Sequence, residues 1–324
     1  MPQAIRFHQT GSPDVLQWES VELAAPGVGD AQVRHHAVGL NYIDTYHRSG
    51  LYPVPLPSGL GLEGAGVVVA VGEGVTNVAP GDRVAYAGGP LGAYAEVRNI
   101  PAHRLVTLPE AISFEQGAAM MLQGLTAQYL LRRTYRVQAG DTILIHAAAG
   151  GVGLIACQWA KALGATVIGT VGSDEKAALA RVHGCDHPIV YTRENFVERV
   201  KQITAGEGVP VVYDSIGKDT FMNSLDCLRP LGMMVLFGAA SGPVPPFDLG
   251  LLAAKGSLYV TRPGIATYIA KREDLVAMAA ELFDIVGSGK VKIEINQRYA
   301  LKDAAQAHRD LEARRTTGST ILLP

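Results

Sequence analysis

The chain is 324 residues long, more than one ordinary hydrophobic core organises, so its length predicts two domains. Apolar residues make up 48% and charged residues 18%, a globular composition that excludes extensive disorder. With 28 basic against 30 acidic residues the formal net charge is −2, which leaves no broad basic footprint for nucleic acid or an anionic membrane.

The N-terminal run Met1-Pro2-Gln3-Ala4-Ile5-Arg6 lacks the apolar stretch of a signal peptide. No run approaches ~18 uninterrupted apolar residues, so the expected location is the cytoplasm, with no membrane association. The first third reads as β-rich. Strand-like stretches lie over 32–38, 66–72 and 81–86, punctuated by glycine and proline, the pattern of a barrel-like all-β unit. Near residue 112 the texture changes: Ser113-Phe114-Glu115-Gln116 opens a helix with a serine cap and an acidic first turn. From about 141 strands and helices alternate. Strands are predicted over 142–146, 165–170, 188–191, 209–214, 233–237 and 257–260. Helices are predicted over 152–163, 174–183, 194–204 and 221–228. Six strands in such alternation predict a doubly wound parallel sheet. The tail carries a helix over 271–286, a strand over 291–295, a helix over 302–312 and a strand over 320–323. It resumes the texture of the front and is expected to complete the first domain. Cys157, Cys185 and Cys227 share no CxxC spacing and read as buried, reduced thiols. They are too few for a four-thiolate zinc lobe.

Glycine is the compositional outlier, 37 residues or about 11% against a usual ~7%. Its sharpest concentration is Ala147-Ala148-Ala149-Gly150-Gly151-Val152-Gly153, between a predicted strand and a predicted helix. That context suits a pyrophosphate turn: small residues let the backbone approach the phosphates, and the helix N-terminus offers free N–H groups. Ala148 stands where the usual fingerprint has its first glycine. An NAD site wants a carboxylate about 20 residues on, at the end of the second strand. There the chain reads Gly169-Thr170-Val171-Gly172-Ser173, with Asp174 arriving late and Lys176 following. A hydroxyl and a lysine suit a 2′-phosphate, and Tyr191, ending the third strand, adds a second hydroxyl. The expected cofactor is therefore NADPH rather than NADH.

The chain resembles the medium-chain dehydrogenase/reductase superfamily, and within it the zinc-independent NADPH:quinone oxidoreductases of the zeta-crystallin-like group. The resemblance spans essentially the whole chain. It rests on Gly39-Leu40-Asn41-Tyr42-Ile43-Asp44-Thr45-Tyr46, Gly50-Leu51-Tyr52-Pro53 and the stretch from Pro57 to Val68. It rests further on Gly81-Asp82-Arg83-Val84, Tyr213-Asp214-Ser215-Ile216-Gly217 and Val260-Thr261-Arg262-Pro263.

The resemblance implies an α/β architecture of two domains. Residues 1–124, completed by 263–324, would form a GroES-like catalytic domain. Residues 125–262 would form a Rossmann domain with a six-stranded parallel sheet. It also implies an interdomain cleft where nicotinamide meets a small-molecule quinone, and a homodimer formed by pairing of edge strands.

Zinc-dependent relatives carry a cysteine where Asn41 stands and a histidine where Leu62 stands. Neither residue present is a good zinc ligand, so no metal is expected. The cofactor candidates that the resemblance implies are Asn41, Thr126, Gly150, Gly151 and Val152, then Ser173, Lys176, Tyr191 and Ser215, and finally Phe237, Gly238, Arg262 and Arg314. Lys176, Tyr191 and Arg314 would face the 2′-phosphate, with Arg315 as a substitute for Arg314. Asn41 would orient nicotinamide or substrate. Tyr46 and Tyr52 are the aromatic candidates beside the substrate, because a ring stacks on a flat quinone and a phenol donates to a reduced oxygen.

The leading expectation is an NADPH-dependent quinone reductase. The alternatives are an NADPH-dependent alkenal or enone double-bond reductase and, less favoured, a non-enzymatic NADPH-binding or RNA-binding protein. The near-neutral charge opposes the RNA reading, and no nucleic-acid partner is expected.

Overall fold

The computed structural model describes all 324 residues, which fall into two compact units. One unit is Met1–Leu125, Tyr268–Gly287 and Ile293–Pro324. The other is Thr126–Thr267 and Ser288–Lys292.

The second unit is built on six strands, all paired in parallel. Across the sheet they run His187–Val190, Thr166–Val171, Thr142–Ile145, Val209–Asp214, Leu228–Leu236 and Tyr259–Thr261. The order reverses between the first strand in sequence, Thr142–Ile145, and the fourth, Val209–Asp214. That reversal is the switch point at which doubly wound folds take nucleotides. Every residue of Val209–Asp214 is buried, as a strand covered on both faces requires. Leu144, Ile168, Val212 and Met234 pack in one cluster with Phe221 and Leu225 of the helix Phe221–Leu225. Each such side chain contributes about 1.5–3 kcal/mol on leaving water.

Buried His146, just past the first strand, ties the second strand to the helix Phe221–Leu225. Its Nε2 meets Ser224 Oγ at 2.9 Å and its Nδ1 meets Thr170 Oγ1 at 2.8 Å. Ser224 already donates to the Thr220 carbonyl, so His146 donates from Nε2 and accepts at Nδ1. Burial lowers its pKa, consistent with that neutral form.

The first unit holds a three-stranded sheet of Gln17–Ser20, Gln3–Phe7 and Ser58–Gly59. It also holds a seven-stranded sheet ordered Ile295–Ala300, Ser319–Leu323, Asp30–Leu40, Glu63–Val71, Arg83–Ala87 and Val106–Thr107, with Val97–Pro101 added against Asp30–Leu40. Ile5, Val33, Val68, Tyr86 and Tyr94 lie in its core. The capped helix predicted at Ser113 is present as Phe114–Tyr129. Gln116 N–H donates to Ser113 Oγ at 3.1 Å, and Ser113 N–H donates to Gln116 Oε1 at 3.0 Å.

The tail departs from its pattern. Val291-Lys292-Ile293-Glu294-Ile295 alternates like a strand, yet the strand is Ile295–Ala300. The reason lies in Gln158, whose side-chain amide both donates to and accepts from the Lys292 backbone, at 3.0 and 2.9 Å. The backbone there is satisfied by a side chain, and Val291 is buried as the anchor. The strand Leu228–Leu236 also begins earlier than the predicted 233, and the preceding helix stops at Leu225.

Candidate active site

The nucleotide candidates of the second unit gather at the carboxyl ends of its strands. Gly150, Gly151 and Val152 follow the first strand, Ser173 the second and Tyr191 the third. Ser215 follows the fourth, Phe237 and Gly238 the fifth, and Arg262 the sixth. The helix Gly151–Ala162 begins at Gly150 with no side-chain cap, so its first N–H groups are offered by bare backbone. Gly153 is required in that first turn, since a Cβ there would fall on the Ala147 carbonyl and the Ala148 backbone. Ala147 carries φ of 53°, a left-handed conformation that an alanine adopts at a cost.

On the second strand's exit, Ser173 caps the helix Asp174–Val182 by accepting from the Lys176 N–H at 3.3 Å. Tyr191 N–H donates to the Val171 carbonyl at 3.1 Å, which brings the second and third exits side by side. On the fourth exit, the fully buried Asp214 shapes the loop that carries Ser215. Its carboxylate accepts from Ile216 N–H, Gly217 N–H and Thr220 Oγ1 at 2.7, 3.1 and 2.7 Å. Its carbonyl accepts from Phe237 N–H at 2.8 Å, joining the fourth and fifth exits. The organising role of Asp214 has no local sequence signal. Thr126 is buried near the end of the helix Phe114–Tyr129.

The first unit holds a buried polar cluster around Asn41. Asn41 Nδ2 donates to Glu63 Oε2 at 2.6 Å, and Asn41 Oδ1 accepts from Gln123 Nε2 at 3.3 Å. Gln123 Oε1 in turn accepts from Ser319 Oγ at 2.7 Å. Glu63 is fully buried, and burial pushes its carboxyl up to about 8 against the pull of Asn41 and of the Leu122 N–H. Gly39 makes room for this carboxylate, because a Cβ on residue 39 would fall on Glu63 Oε2.

Beside it runs a second buried chain of donors. Arg48 Nη1 donates to His308 Nδ1 at 3.2 Å, so His308 carries its proton on Nε2 and donates to Tyr94 Oη at 3.1 Å. Tyr94 Oη donates to Asp44 Oδ2 at 2.9 Å, and the same oxygen accepts from Asn41 N–H at 2.9 Å. Asp44 Oδ1 is buried and accepts nothing, a natural seat for the proton that burial retains up to about 7. Arg48 is fixed from outside by a bidentate pair with Glu312 at 2.9 and 2.6 Å.

Tyr46 and Tyr52 form an edge-to-face pair with ring centroids 5.2 Å apart, and Tyr42 and His47 stand against them. Asn41, as N-cap residue of the helix Tyr42–Ser49, sits one turn from Tyr46. The structure thus brings Asn41, Tyr46 and Tyr52 into one neighbourhood. Arg314, with φ of 59° after the helix Ala304–Glu312, belongs to this first unit, whereas Lys176 and Tyr191 belong to the second. Arg315 is engaged by Asp310 at 3.2 Å. No group of three or more His, Cys, Asp or Glu side chains is arranged to hold a metal ion.

A unit dominated by antiparallel strands, joined in one chain to a doubly wound parallel sheet with a glycine turn, defines a medium-chain dehydrogenase/reductase. Two family models agree: "Alcohol dehydrogenase GroES-like domain" matches residues 27–110, and "Zinc-binding dehydrogenase" matches residues 151–284. The quinone oxidoreductase of Pseudomonas aeruginosa is 59% identical, over all of both chains. The crystal structure of Escherichia coli quinone oxidoreductase complexed with NADPH superposes with a TM-score of 0.98 at 54% identity, covering 99% of this chain and 100% of that one. A 2-haloacrylate reductase from Burkholderia sp. is 46% identical over 100% of this chain and 99% of its own. The chain belongs to the quinone oxidoreductase family of that superfamily.

Proposed function

We propose that this oxidoreductase draws on NADPH to reduce quinones, using the strand-end residues of the second unit and the Asn41 neighbourhood of the first. The observation that carries the reading is the gathering of nine candidate residues at six consecutive strand exits, around an uncapped helix N-terminus. The residues fit a dinucleotide phosphate. Gly153 removes the Cβ that would fill the turn, and the Ser173–Lys176 corner offers a hydroxyl and a cation. Bound NADPH supplies the hydride, and a quinone that takes a hydride and a proton becomes a hydroquinone. Gly150, Gly151 and Val152 hold the pyrophosphate, with Ser215, Phe237, Gly238, Thr126 and Arg262 along the remainder. Ser173, Lys176, Tyr191 and Arg314 hold the 2′-phosphate. Asn41, its amide pinned by Glu63 and Gln123, keeps its second Nδ2 hydrogen for the nicotinamide or the substrate. Tyr46 and Tyr52 stack on the substrate, and a phenol donates to its reduced oxygen.

The site works without a metal on this reading. Asn41 and Leu62 are not good zinc ligands, and Glu63 is occupied by Asn41 and the Leu122 N–H. The protein acts as a cytoplasmic homodimer with no nucleic-acid partner. Support for the dimer comes from Tyr259–Thr261, an outer strand of the sheet whose Tyr259 and Val260 are exposed. Sedimentation of wild type and Val260→Lys tests it, and a wild-type monomer would remove it.

A second reading, reduction of activated carbon–carbon double bonds, is favoured by the 46% identity to a 2-haloacrylate reductase. Steady-state oxidation of NADPH and NADH against benzoquinones, naphthoquinones, 2-alkenals and 2-haloacrylate separates the two. Quinone turnover with NADPH is expected. Turnover of the alkenes alone would replace the first reading with the second.

A further inference from the structure

The exits of the second and third strands lie in register, Val171 opposite Val190. The loops that follow therefore touch along their length. The Tyr191 hydroxyl lies over Gly172, 3.0 Å from where a Cβ would stand, and Thr192 Oγ1 donates to the Gly172 carbonyl at 3.4 Å. One step further out, the Arg193 guanidinium grips the Asp174 carboxylate through two hydrogen bonds of 2.6 and 2.5 Å. Asp174 is the first residue of the helix that Ser173 caps and from which Lys176 rises. A carboxylate therefore stands at the corner where the 2′-phosphate is expected, and Arg193 cancels its charge.

We infer that Arg193 is a specificity-determining residue of the nucleotide site, which sets the preference for NADPH over NADH by neutralising Asp174. The inference rests on the proposed placement of the 2′-phosphate beside Ser173, Lys176 and Tyr191. Bare, Asp174 would repel that phosphate and accept from a ribose hydroxyl, the arrangement that suits NADH. Paired, it presents no net charge. Both partners are well exposed, with side chains 67% and 57% accessible, so the pair costs little to loosen. An exposed aspartate is ionised throughout the neutral region, and the Arg193 pairing holds the Asp174 carboxyl lower still.

The test uses the full-length protein, with Arg193→Gln, Asp174→Asn and the double variant, and reads dissociation constants for NADPH and NADH by fluorescence titration. Arg193→Gln is expected to weaken NADPH about tenfold and to leave NADH unchanged or tighter, as an unneutralised carboxylate beside the 2′-phosphate predicts. Asp174→Asn is expected to bind NADPH at least as well as wild type. Adding it to Arg193→Gln should restore most of the lost affinity. Equal weakening of both cofactors, or a double variant no better than Arg193→Gln, would overturn the inference. Wild type that binds NADH as tightly as NADPH would overturn the cofactor reading beneath it. Wild type that prefers NADPH, with an unaltered ratio in Arg193→Gln, would overturn the inference alone. Thermal melting of each variant checks that these exposed substitutions leave the fold intact.

Discussion

At Asn41 both ends of the side-chain amide are spoken for, Nδ2 by Glu63 and Oδ1 by Gln123. Those partners fix which end of the amide is nitrogen and which is oxygen, something the residue type alone leaves open. Its partners lie at positions 63, 123 and 319, so no local spacing announces them. Glu63 in particular stands in the sequence only within the stretch from Pro57 to Val68, and nothing there announces its burial. The nucleotide side is different, because nine of its candidates follow recognisable strands. Lys176→Ala is expected to weaken NADPH by roughly tenfold, the loss of one charge-assisted hydrogen bond, while NADH binding stays put. Equilibrium titration with both cofactors reads the difference. Ala147, held at φ of 53°, makes a separate prediction. Ala147→Gly relieves the left-handed strain and should stabilise the fold by about 0.5–1 kcal/mol in urea denaturation.

Among the elements, the helix Gly151–Ala162 carries the greatest functional weight for its length. It starts without a cap and packs its first turn against the strand exit, which only a residue without a Cβ permits at 153. Gly153→Ala should therefore cost about 1–3 kcal/mol of stability as overpacking and depress NADPH affinity at the same time. Urea melts paired with a fluorescence titration test both halves. Sequence periodicity located nearly all the strands of the parallel sheet, because strands covered on two faces read as unbroken apolar runs. It misplaced the tail strand, where a Val-Lys-Ile-Glu-Ile alternation is satisfied by the Gln158 amide instead of a neighbouring strand. Alternation reports which side chains are buried. It does not report who supplies the hydrogen bonds.

For the whole molecule the buried ionisable groups set how stability follows pH. Glu63 and Asp44 are raised to about 8 and about 7, while His35 and His308 are lowered to about 4 and about 3, in each case mainly by burial. From pH 4 to 6.5 the two kinds oppose each other: the folded chain holds carboxyl protons that the unfolded chain has lost, and lacks histidine protons that the unfolded chain keeps. Above 6.5 the unfolded histidines are also neutral and only the carboxyls continue. The folded state then binds more protons, so stability falls as pH rises from 6.5 to 8, by up to about 1.4 kcal/mol per pH unit for each proton. Urea midpoints across that range should decline for wild type and decline less for Glu63→Gln. A flat wild-type profile would contradict the burial of these carboxyls.

The strand Ser319–Leu323 lies inside its sheet, paired with Asp30–Leu40 on one side and Ile295–Ala300 on the other. During translation, Leu40 leaves the ribosome long before its partner exists. At about 5–20 residues per second the delay is on the order of tens of seconds. Throughout that interval the nascent β-rich unit carries an open edge. Its folding is thereby tied to the synthesis of Ser319–Leu323, and chaperones that bind unpaired strands have a defined period in which to act.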